Sequence, residues 1–407
     1  RIMVFRDQIV AGNPTPGGNI PSWDLTLNNV PIAYPDEVPA TIQMWSGEQQ
    51  LWRVSNSSSD TILDLQVQFD GVPQKLRIVG LDGVPTGSQD GTSQGHVVKS
   101  NHVLLPTASR AEFIVSAPPS TVKNARLVTI GINTGPDGDN DPQRTIATIR
   151  TTCRKPSSIN NARAEITTGV GARWKERFEG LARMRPATSR TLFFSENNPL
   201  SQFFITVDGA TPTLFDPNNP PAIVTTQGSA EDWTIQNQSL ENHEFHMHQI
   251  HFLVESQNNF EINGSRPDLA IRHQVVDTIQ IPFWDGNLRH PFPSVTVRMD
   301  FRGADIGDFV YHCHIAEHED KGMMAIIRVE PSQVAALIER LRISLASLGR
   351  SVGLLRTNPA TAESYAWCIR GRLSRRYGAG VATGATGLGV TGTAWNRQLA
   401  DSSDPWN

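Results

Sequence analysis

The sequence predicts an all-β protein with two sandwich-like domains, and three observations support this prediction. Short segments rich in Val, Ile, Leu, Phe and Trp recur between turn residues, a pattern typical of half-buried strands. The pattern occupies two long regions that are separated by a basic stretch without it. The 407 residues also suffice for two to three domains of about 100–200 residues each.

Residues 1–150 are predicted to form the first sandwich or barrel from antiparallel strands. Asp70-Gly71 and Asp82-Gly83 punctuate this region, and Asp-Gly pairs favour two-residue turns between paired strands. The predicted strands are Arg1–Val10, Gln50–Asn56, Thr61–Phe69, Gln74–Val79 and Ala111–Val115.

Residues 188–332 are predicted to form the second sandwich, and residues 151–187 the basic linker before it. The predicted strands are Arg190–Ser195, Phe203–Val207, Glu231–Gln236, His251–Glu255, Ser294–Asp300, Phe309–His314 and Met324–Val329. Residues 333–407 are predicted to hold a short helix, where apolar residues recur at helical spacing, and then a low-complexity tail. We expect that tail to be disordered.

Charge and hydropathy exclude several classes of protein. The formal net charge of −4 argues against nucleic acid or an anionic membrane as the main partner. No apolar run approaches the roughly 20 residues that span a bilayer. Because Arg1 already lies in a predicted strand and no signal peptide precedes it, we expect the native N-terminus to lie upstream.

The three cysteines do not make a disulfide framework. Cys153 and Cys368 could form one bridge, and the sequence leaves this pairing open. Cys313 differs from both because a histidine flanks it on each side.

Histidines are few, eleven in all, and most of them fall in two short windows. The first window runs from His243 to His251, and the second runs from His312 to His318 around Cys313. An isolated histidine is more often packed or solvated than a ligand, whereas clustering around a cysteine favours a metal site. We expect His251 to pack beside the site that holds Cys313. The histidines expected in loops or on the surface are His96, His102, His273 and His290.

Strand geometry divides the clustered residues into two sets, because successive side chains of a strand point to opposite faces. On the strand Phe309–His314, the cysteine faces one side and its two flanking histidines face the other. In the first window, His246 and His248 share a face, and His243 tends to the opposite one. The first set is Cys313, His243 and His318, which lies past the strand end, and the second set is His246, His248, His312 and His314.

The first set offers two imidazoles and a thiolate, with Met323 further along the chain as a candidate weak axial ligand. This combination is typical of a blue-copper electron-transfer site. The rival is a structural zinc site, which takes four strong ligands and has no use for a distant thioether. The second set, four imidazoles without a thiolate, suits copper at a site where a small ligand binds. Because the cysteine is bonded through the backbone to His312 and His314, a short covalent path joins the two sets.

The two windows resemble the copper-binding motifs in the third domain of multicopper oxidases, the family of laccases and bilirubin oxidases. These motifs are His243-x-x-His246-x-His248 and His312-Cys313-His314-x3-His318-x4-Met323. The segments that resemble the second domain of the family are Arg53-Val54-Ser55-Asn56, Gly71-Val72-Pro73, Leu81-Asp82-Gly83-Val84-Pro85 and Leu105-Pro106-x3-Arg110-Ala111-Glu112. Those that resemble the body of the third domain are Pro221-Ala222-Ile223-Val224, Glu231-Asp232-Trp233-Thr234-Ile235 and Met299-Asp300-Phe301.

The resemblance covers roughly residues 1–330 and implies cupredoxin-like Greek-key β-sandwiches that bind type 1, type 2 and type 3 copper. The implied ligands are His243, Cys313 and His318 for type 1 copper with Met323 axial, His246 for type 2 copper, and His248, His312 and His314 for the type 3 pair. The implied enzyme is extracellular or periplasmic. It oxidises phenols, aromatic amines or metal ions one electron at a time and reduces O2 to water.

The resemblance also suggests two residues with catalytic roles besides Cys313. His318 would lie near the substrate. Glu317 matches an acidic residue that helps to protonate reduced oxygen, and its alternative interpretation is a solvated loop carboxylate.

The sequence departs from the family at its N-terminus. The first domain of the family supplies two further His-x-His pairs to the trinuclear copper cluster, but no histidine precedes His96 here. We therefore expect a fragment that provides half of the cluster's imidazoles and lacks the first domain, which would act in cis or in trans. Two alternatives stay open: a blue-copper electron carrier that does not reduce O2, and an inactive product of a truncated gene.

Overall fold

Four β-sheets form two β-sandwiches in the computed structural model of the chain, which describes residues 1–10, 18–88, 95–152, 178–260, 271–333 and 337. The predicted all-β class is confirmed. Both sandwiches belong to one compact unit, and a single cluster of buried apolar side chains includes residues of both.

Within the described residues, the first sandwich is built from fourteen strands. They are β1 (Ile2–Ile9), β2 (Trp23–Leu27), β3 (Val30–Ile32), β4 (Ala40–Trp45), β5 (Gln49–Asn56), β6 (Leu63–Phe69), β7 (Val72–Pro73), β8 (Leu76–Leu81), β9 (Val84–Pro85), β10 (Val98–Ser100), β11 (Val103–Leu105), β12 (Arg110–Ser116), β13 (Ala125–Thr129) and β14 (Arg144–Thr152). One sheet has the order β10-β8-β12-β5-β1-β2-β3, with β9 paired to β8. The other has the order β11-β6-β13-β14-β4, with β7 paired to β6.

The second sandwich follows a short 3-10 turn at Leu181–Arg183 and has a second such turn at Asn198–Leu200. Its elements are β15 (Thr188–Asn197), β16 (Gln202–Val207), β17 (Ile223–Thr226), β18 (Ala230–Asn237), β19 (His243–Met247), β20 (Phe252–Asn258), β21 (Val275–Val276), β22 (Thr278–Ile281), β23 (Ser294–Asp300), β24 (Gly307–Cys313), the helix α1 (Ala316–Asp320) and β25 (Met324–Glu330). The two sheets have the orders β16-β15-β18-β23-β20-β21 and β17-β25-β24-β19-β22.

The sheets are mixed, which corrects the predicted antiparallel arrangement. Strand β1 runs parallel to β5, β4 to β14, β15 to β18 and β17 to β25. Parallel neighbours need a long crossover connection instead of a hairpin. Local turn signals therefore do not reveal them in the sequence.

Each predicted strand overlaps an observed one, but several strands escape the sequence pattern. Strands β2 and β14 are examples, because the buried charged residue Asp24 lies within β2 and the buried charged residue Arg144 begins β14. Asp24 accepts a hydrogen bond from the backbone N–H of Tyr34 at 2.8 Å, and Arg144 pairs with Asp141 at 3.0 Å. Such partners lower the free-energy cost of burying a charge. They lie outside β2 and β14, so the strand segments alone do not reveal them.

The two Asp-Gly pairs form tight turns, as predicted. Asp70 and Gly71 connect β6 to β7 with φ values of 48° and 82°, and Asp82 and Gly83 connect β8 to β9 with 47° and 78°. Positive φ at both central residues matches the twist of the paired strands. The second turn also contacts the second sandwich, because the backbone N–H of Asp277 donates a hydrogen bond to Asp82 Oδ2 at 3.1 Å.

A loop of the first sandwich packs closely on the chain immediately before β19. The backbone N–H of Asn242 donates to the carbonyl of Thr134 at 2.8 Å. Gly135 has a φ of 106°, and a Cβ atom there would lie 2.1 Å from the carbonyl oxygen of Leu240. Only glycine fits this contact, which fixes the start of the strand that carries His243.

Several predictions fall outside the described residues. They concern the pairing of Cys153 with Cys368, most of the linker (153–177), and nearly all of the helix and tail predicted over 333–407. Within the described part of the chain, no helix combines the length and the apolar character that crossing a bilayer requires.

Candidate metal centre

Two neighbouring strands of the second sandwich carry most of the clustered histidines and the cysteine. Strands β19 and β24 are antiparallel, with Phe245 opposite Cys313 and His246 opposite His312. Because side chains alternate between faces along each strand, this register puts Cys313 and His243 on one side of the sheet. The two paired histidines lie on the other.

The structure brings the three residues of the first set together in a buried cluster. The Nδ1 atoms of His243 and His318 lie 3.0 Å apart, and Cys313 Sγ lies 3.8 and 3.6 Å from them. A metal ion bound tetrahedrally at about 2.0 Å from nitrogen and about 2.3 Å from sulfur would hold such atoms roughly 3.3–3.7 Å apart. The cluster therefore has the dimensions and the ligand atoms of a metal site.

The ring nitrogens that face away from the thiol are held by surrounding side chains. His243 Nε2 lies 3.0 Å from Ser239 Oγ, and His318 Nε2 lies 3.4 Å from Glu241 Oε2. Phe203 stacks on the His318 ring with the two centroids 4.3 Å apart. Partners of this kind fix the orientation of a ligand ring, so both Nδ1 atoms already point towards the sulfur.

The second set gathers its four histidines on the opposite side of the same sheet, at and just past the ends of β19 and β24. The ring of His246 lies 5.0–5.3 Å, between centroids, from the rings of the other three. His248 Nε2 and His312 Nε2 approach to 3.1 Å. His312 is buried, whereas His248 is exposed. The set is therefore open to solvent or to a partner on the side of His248.

Two rings of the second set are held by backbone and side-chain oxygens. The Nδ1–H of His246 donates to the carbonyl of Asp277 at 2.9 Å. His314 Nδ1 lies 3.2 Å from Oγ1 of Thr107, a residue of the first sandwich. Each contact occupies one ring nitrogen and leaves Nε2 as the second nitrogen, the one available to a metal.

Burial keeps the imidazoles neutral and the thiol protonated. It lowers the pKa of His246 to about 3, helped by the neighbouring histidines, and it lowers the pKa of His318 to about 4. Burial and the adjacent His318 also hold the pKa of His243 well below its usual value. Burial raises the pKa of the Cys313 thiol, and the nearby Glu244 carboxylate adds to this rise. A metal cation that binds the first set would therefore replace the thiol proton.

Met323 is buried next to the first set. Its carbonyl accepts a hydrogen bond from the backbone N–H of Cys313 at 3.1 Å, and its own N–H donates to the carbonyl of His318 at 3.0 Å. The chain thus reverses direction at helix α1, which brings Met323 next to Cys313. The axial role of the Met323 thioether stays a prediction.

Glu319, rather than Glu317, contacts a histidine of the second set. Its Oε2 lies 3.2 Å from His312 Nδ1, and the hydrogen bond from His312 lowers the pKa of Glu319. The side chain of Glu317 is 48% exposed and forms an ion pair with Lys321 one helical turn away. The catalytic role of Glu317 stays a prediction, and Glu319 is a second candidate that the sequence motifs did not single out.

Glu244 is another site residue that the motifs did not reveal. It is fully buried, and its backbone N–H donates to Cys313 Sγ at 3.3 Å. Its carboxylate accepts hydrogen bonds from the backbone N–H of Thr107 at 3.0 and 3.1 Å, and burial raises its pKa to about 8. One signal was available, because Glu244 shares strand parity with His246 and a carboxylate on a buried strand needs a partner.

Histidines outside the two sets contact acidic residues or backbone. His102 pairs with Asp64 at 2.7 Å in the first sandwich. The sequence placed His251 beside the first set, but its Nε2 lies 2.9 Å from the carbonyl of Asp82 and 3.4 Å from Asp277 Oδ2. His251 therefore belongs to the contact between the sandwiches, on the side of the second set.

Known proteins resemble parts of this chain in sequence. The family profile described as multicopper oxidase matches residues 184–333. A multicopper oxidase of Staphylococcus aureus is 32% identical over 131 residues, which cover 31% of this chain and 24% of that protein. A laccase of Haloferax volcanii is 31% identical over 103 residues, which cover 25% of this chain and 16% of that protein. The matched segments are thus a quarter or less of these relatives.

A solved structure shares the fold over both sandwiches. The 2F4 variant of the McoA multicopper oxidase from Aquifex aeolicus matches with a TM-score of 0.56 and 16% sequence identity. The match covers 81% of this chain and 65% of that one. At this identity the likeness supports the cupredoxin-like sandwich fold alone.

The protonation states of the first set predict how metal binding depends on pH. We expect Co²⁺ to release one proton on binding, because the Cys313 thiol is protonated at neutral pH while His243 and His318 are already neutral. The apparent affinity should rise about tenfold per pH unit between about pH 5 and 8. Titrations that follow the cobalt–thiolate charge-transfer band measure this slope. A slope that steepens below pH 6.5 would mean that the histidines also titrate, which would contradict the buried arrangement.

Proposed function

The chain belongs to the multicopper oxidase family, and we propose that it acts as a copper-dependent oxidoreductase that moves electrons from a reducing substrate towards O2. In this proposal the first set would hold type 1 copper, with Met323 as a further, weak ligand. His246 would bind type 2 copper, and His248, His312 and His314 would bind the type 3 pair. The reducing substrate would be a phenolic or aromatic compound or a metal ion.

One observation carries the proposal: a buried thiol lies between two imidazoles and is bonded through the backbone to two histidines of a second set. Copper bound to the two sets would supply one-electron redox chemistry at both ends of this short covalent path. A structural zinc site would not need a second histidine set attached to its cysteine. The buried, soft thiolate position also suits copper better than a hard cation.

In this proposal, the residues around the first set prepare it to receive electrons from a substrate. Phe203 and Ser239 hold the two imidazoles in place, so little reorganisation accompanies a change of charge. The Glu241 carboxylate beside His318 Nε2 gives the outer edge of the set an acceptor for a substrate proton or cation. Electrons would enter at His318 and leave through Cys313 towards His312 and His314.

The second set would be completed by imidazoles from a further cupredoxin-like domain, in the same or another polypeptide. The exposed side chain of His248 would leave the second set accessible to such a domain. The family resemblance also suggests an extracellular or periplasmic protein. A blue-copper electron carrier that does not reduce O2 is the second candidate. The sequence supplies only four imidazoles to this set, which is half of the number that the resemblance implies for the cluster.

Replacement of Cys313 tests the type 1 assignment. We expect Cys313→Ser to abolish the intense thiolate-to-copper visible band and the narrow copper hyperfine splitting, because serine offers no soft ligand of this kind. Visible and electron paramagnetic resonance spectra of the copper-loaded protein measure both signals. Survival of the blue signals in the variant would refute the assignment.

A pair of matched substitutions separates the two candidate proton donors. We expect Glu319→Gln to slow reoxidation by O2 and to leave reduction of the blue copper by substrate nearly unchanged, since Glu319 contacts His312 and oxygen reduction consumes protons. Glu317→Gln on the same short helix is the control. Stopped-flow measurements of each half-reaction, with the second set completed by an added domain, decide the matter. Slow reoxidation in the Glu317 variant alone would support the sequence-based hypothesis instead.

Oxygen uptake distinguishes the oxidase from the electron carrier. We expect these 407 residues alone to bind about one copper tightly and to accept electrons from a phenolic donor, with negligible steady-state O2 consumption. Loss of several ligands should weaken a cluster by more than the roughly 10–100-fold that accompanies loss of supporting contacts. A copper count and an oxygen electrode measure the two quantities. Sustained turnover without an added domain would contradict this expectation, and no turnover after addition of a domain with two His-x-His pairs would favour the carrier.

A further inference from the structure

The segment 106–110 of the first sandwich carries no predicted metal ligand, yet one of its side chains contacts the second set and another contacts a residue that supports it. It links β11 to β12 and lies against β19 and the residues that follow β24. Thr107 and Arg110 are the two side chains, and each contacts a different histidine or its support.

Thr107 is fully buried and contacts His314 through its hydroxyl group. Thr107 Oγ1 lies 2.6 Å from the carbonyl of His314 and 3.2 Å from its Nδ1. In the tautomer that donates Nδ1–H to this hydroxyl, the lone pair of His314 Nε2 is free for a metal. The backbone N–H of Thr107 also donates to both oxygens of Glu244, so Thr107 is held from a second direction.

Arg110 supports His246 through one intermediate residue. Its guanidinium donates to both carboxylate oxygens of Asp277, at 2.9 and 2.6 Å. Asp277 in turn accepts the Nδ1–H of His246 at its backbone carbonyl and donates its own N–H to Asp82. A bidentate arginine–carboxylate pair fixes geometry more strictly than a single contact does. The carbonyl that orients His246 is therefore anchored to two residues of the first sandwich.

We propose that the segment 106–110 is a positioning element for the second set, in which Thr107 orients His314 and Arg110 orients His246. This proposal rests on the proposed function in taking copper as the occupant of that set. The competing explanation is that the same contacts only join the two sandwiches. The two explanations differ, because a positioning element affects metal affinity and a mere joint affects stability alone.

The test is a Cu²⁺ titration of the full chain, with electron paramagnetic resonance used to separate blue from non-blue copper. We expect Thr107→Val, which keeps the shape and removes the hydroxyl, to weaken the non-blue copper by about 10–100-fold, as loss of a supporting contact does. The blue signal of the first set should be retained in the same sample. Thr107→Ser restores the hydroxyl and should recover most of the affinity.

Two further variants test whether the effect on non-blue copper is specific to this segment. Thr129→Val removes another buried hydroxyl, which accepts a hydrogen bond from the backbone N–H of Asp64 at 3.0 Å within the first sandwich. It should lower the thermal unfolding midpoint without changing either copper. Arg110→Lys keeps the charge but loses the forked contact, and it should weaken the non-blue copper independently of Thr107.

Each outcome decides between the explanations. Non-blue copper that binds Thr107→Val and Arg110→Lys as tightly as the unmodified chain would overturn the positioning role and leave the proposed function intact. Equal weakening in Thr107→Val and Thr129→Val would also overturn it, since general instability would then be the cause. Because the chain alone is expected to bind only the blue copper tightly, the non-blue copper is followed in the weak range of the titration. Complete absence of non-blue copper in that range would contradict the proposed second set and this inference together.

Discussion

The alternation of side chains along a single strand is the constraint on which the site depends. In β24, Cys313 faces one side of the sheet while the preceding His312 faces the other, and His314 continues this division just past the strand end. Three consecutive residues thus supply side chains to two ligand sets, and the shortest path between the two sets runs through backbone atoms. Pairing with β19 then supplies His243 to one side and His246 to the other, so one register determines the membership of both sets.

This alternation explains why the sequence predicted the grouping of these side chains better than the strand pairing around them. The division of His243 and Cys313 from His246 and His312 follows from parity alone and needs no knowledge of neighbouring strands. The parallel pairs, such as β17 with β25, depend on long crossovers that leave no local signal. Glu319 and Thr107 escaped detection for a related reason, since the first depends on the short helix α1 and the second on how the two sandwiches meet.

Burial determines the electrostatic character of the centre. It disfavours charge on the imidazoles and on the thiol alike, so the first set is a group of neutral ligands in an apolar surrounding. Two carboxylates lie at the outer ring nitrogens of the two sets: Glu241 beside His318 of the first set and Glu319 beside His312 of the second. Such an arrangement supports ligand orientation without placing a competing anion at the centre.

The close fit of Gly135 on Leu240 and the contacts of Thr107 and Arg110 have a consequence for the order of events during maturation. In the proposed arrangement, one sandwich carries the rings of the second set and the other helps to orient them, so neither sandwich would complete the set on its own. The strands also pair across long stretches of chain, and such non-local pairing is slow to form. Folding and docking of both sandwiches would therefore precede metal acquisition at this set, and a nascent chain would emerge with its histidines present but not yet arranged.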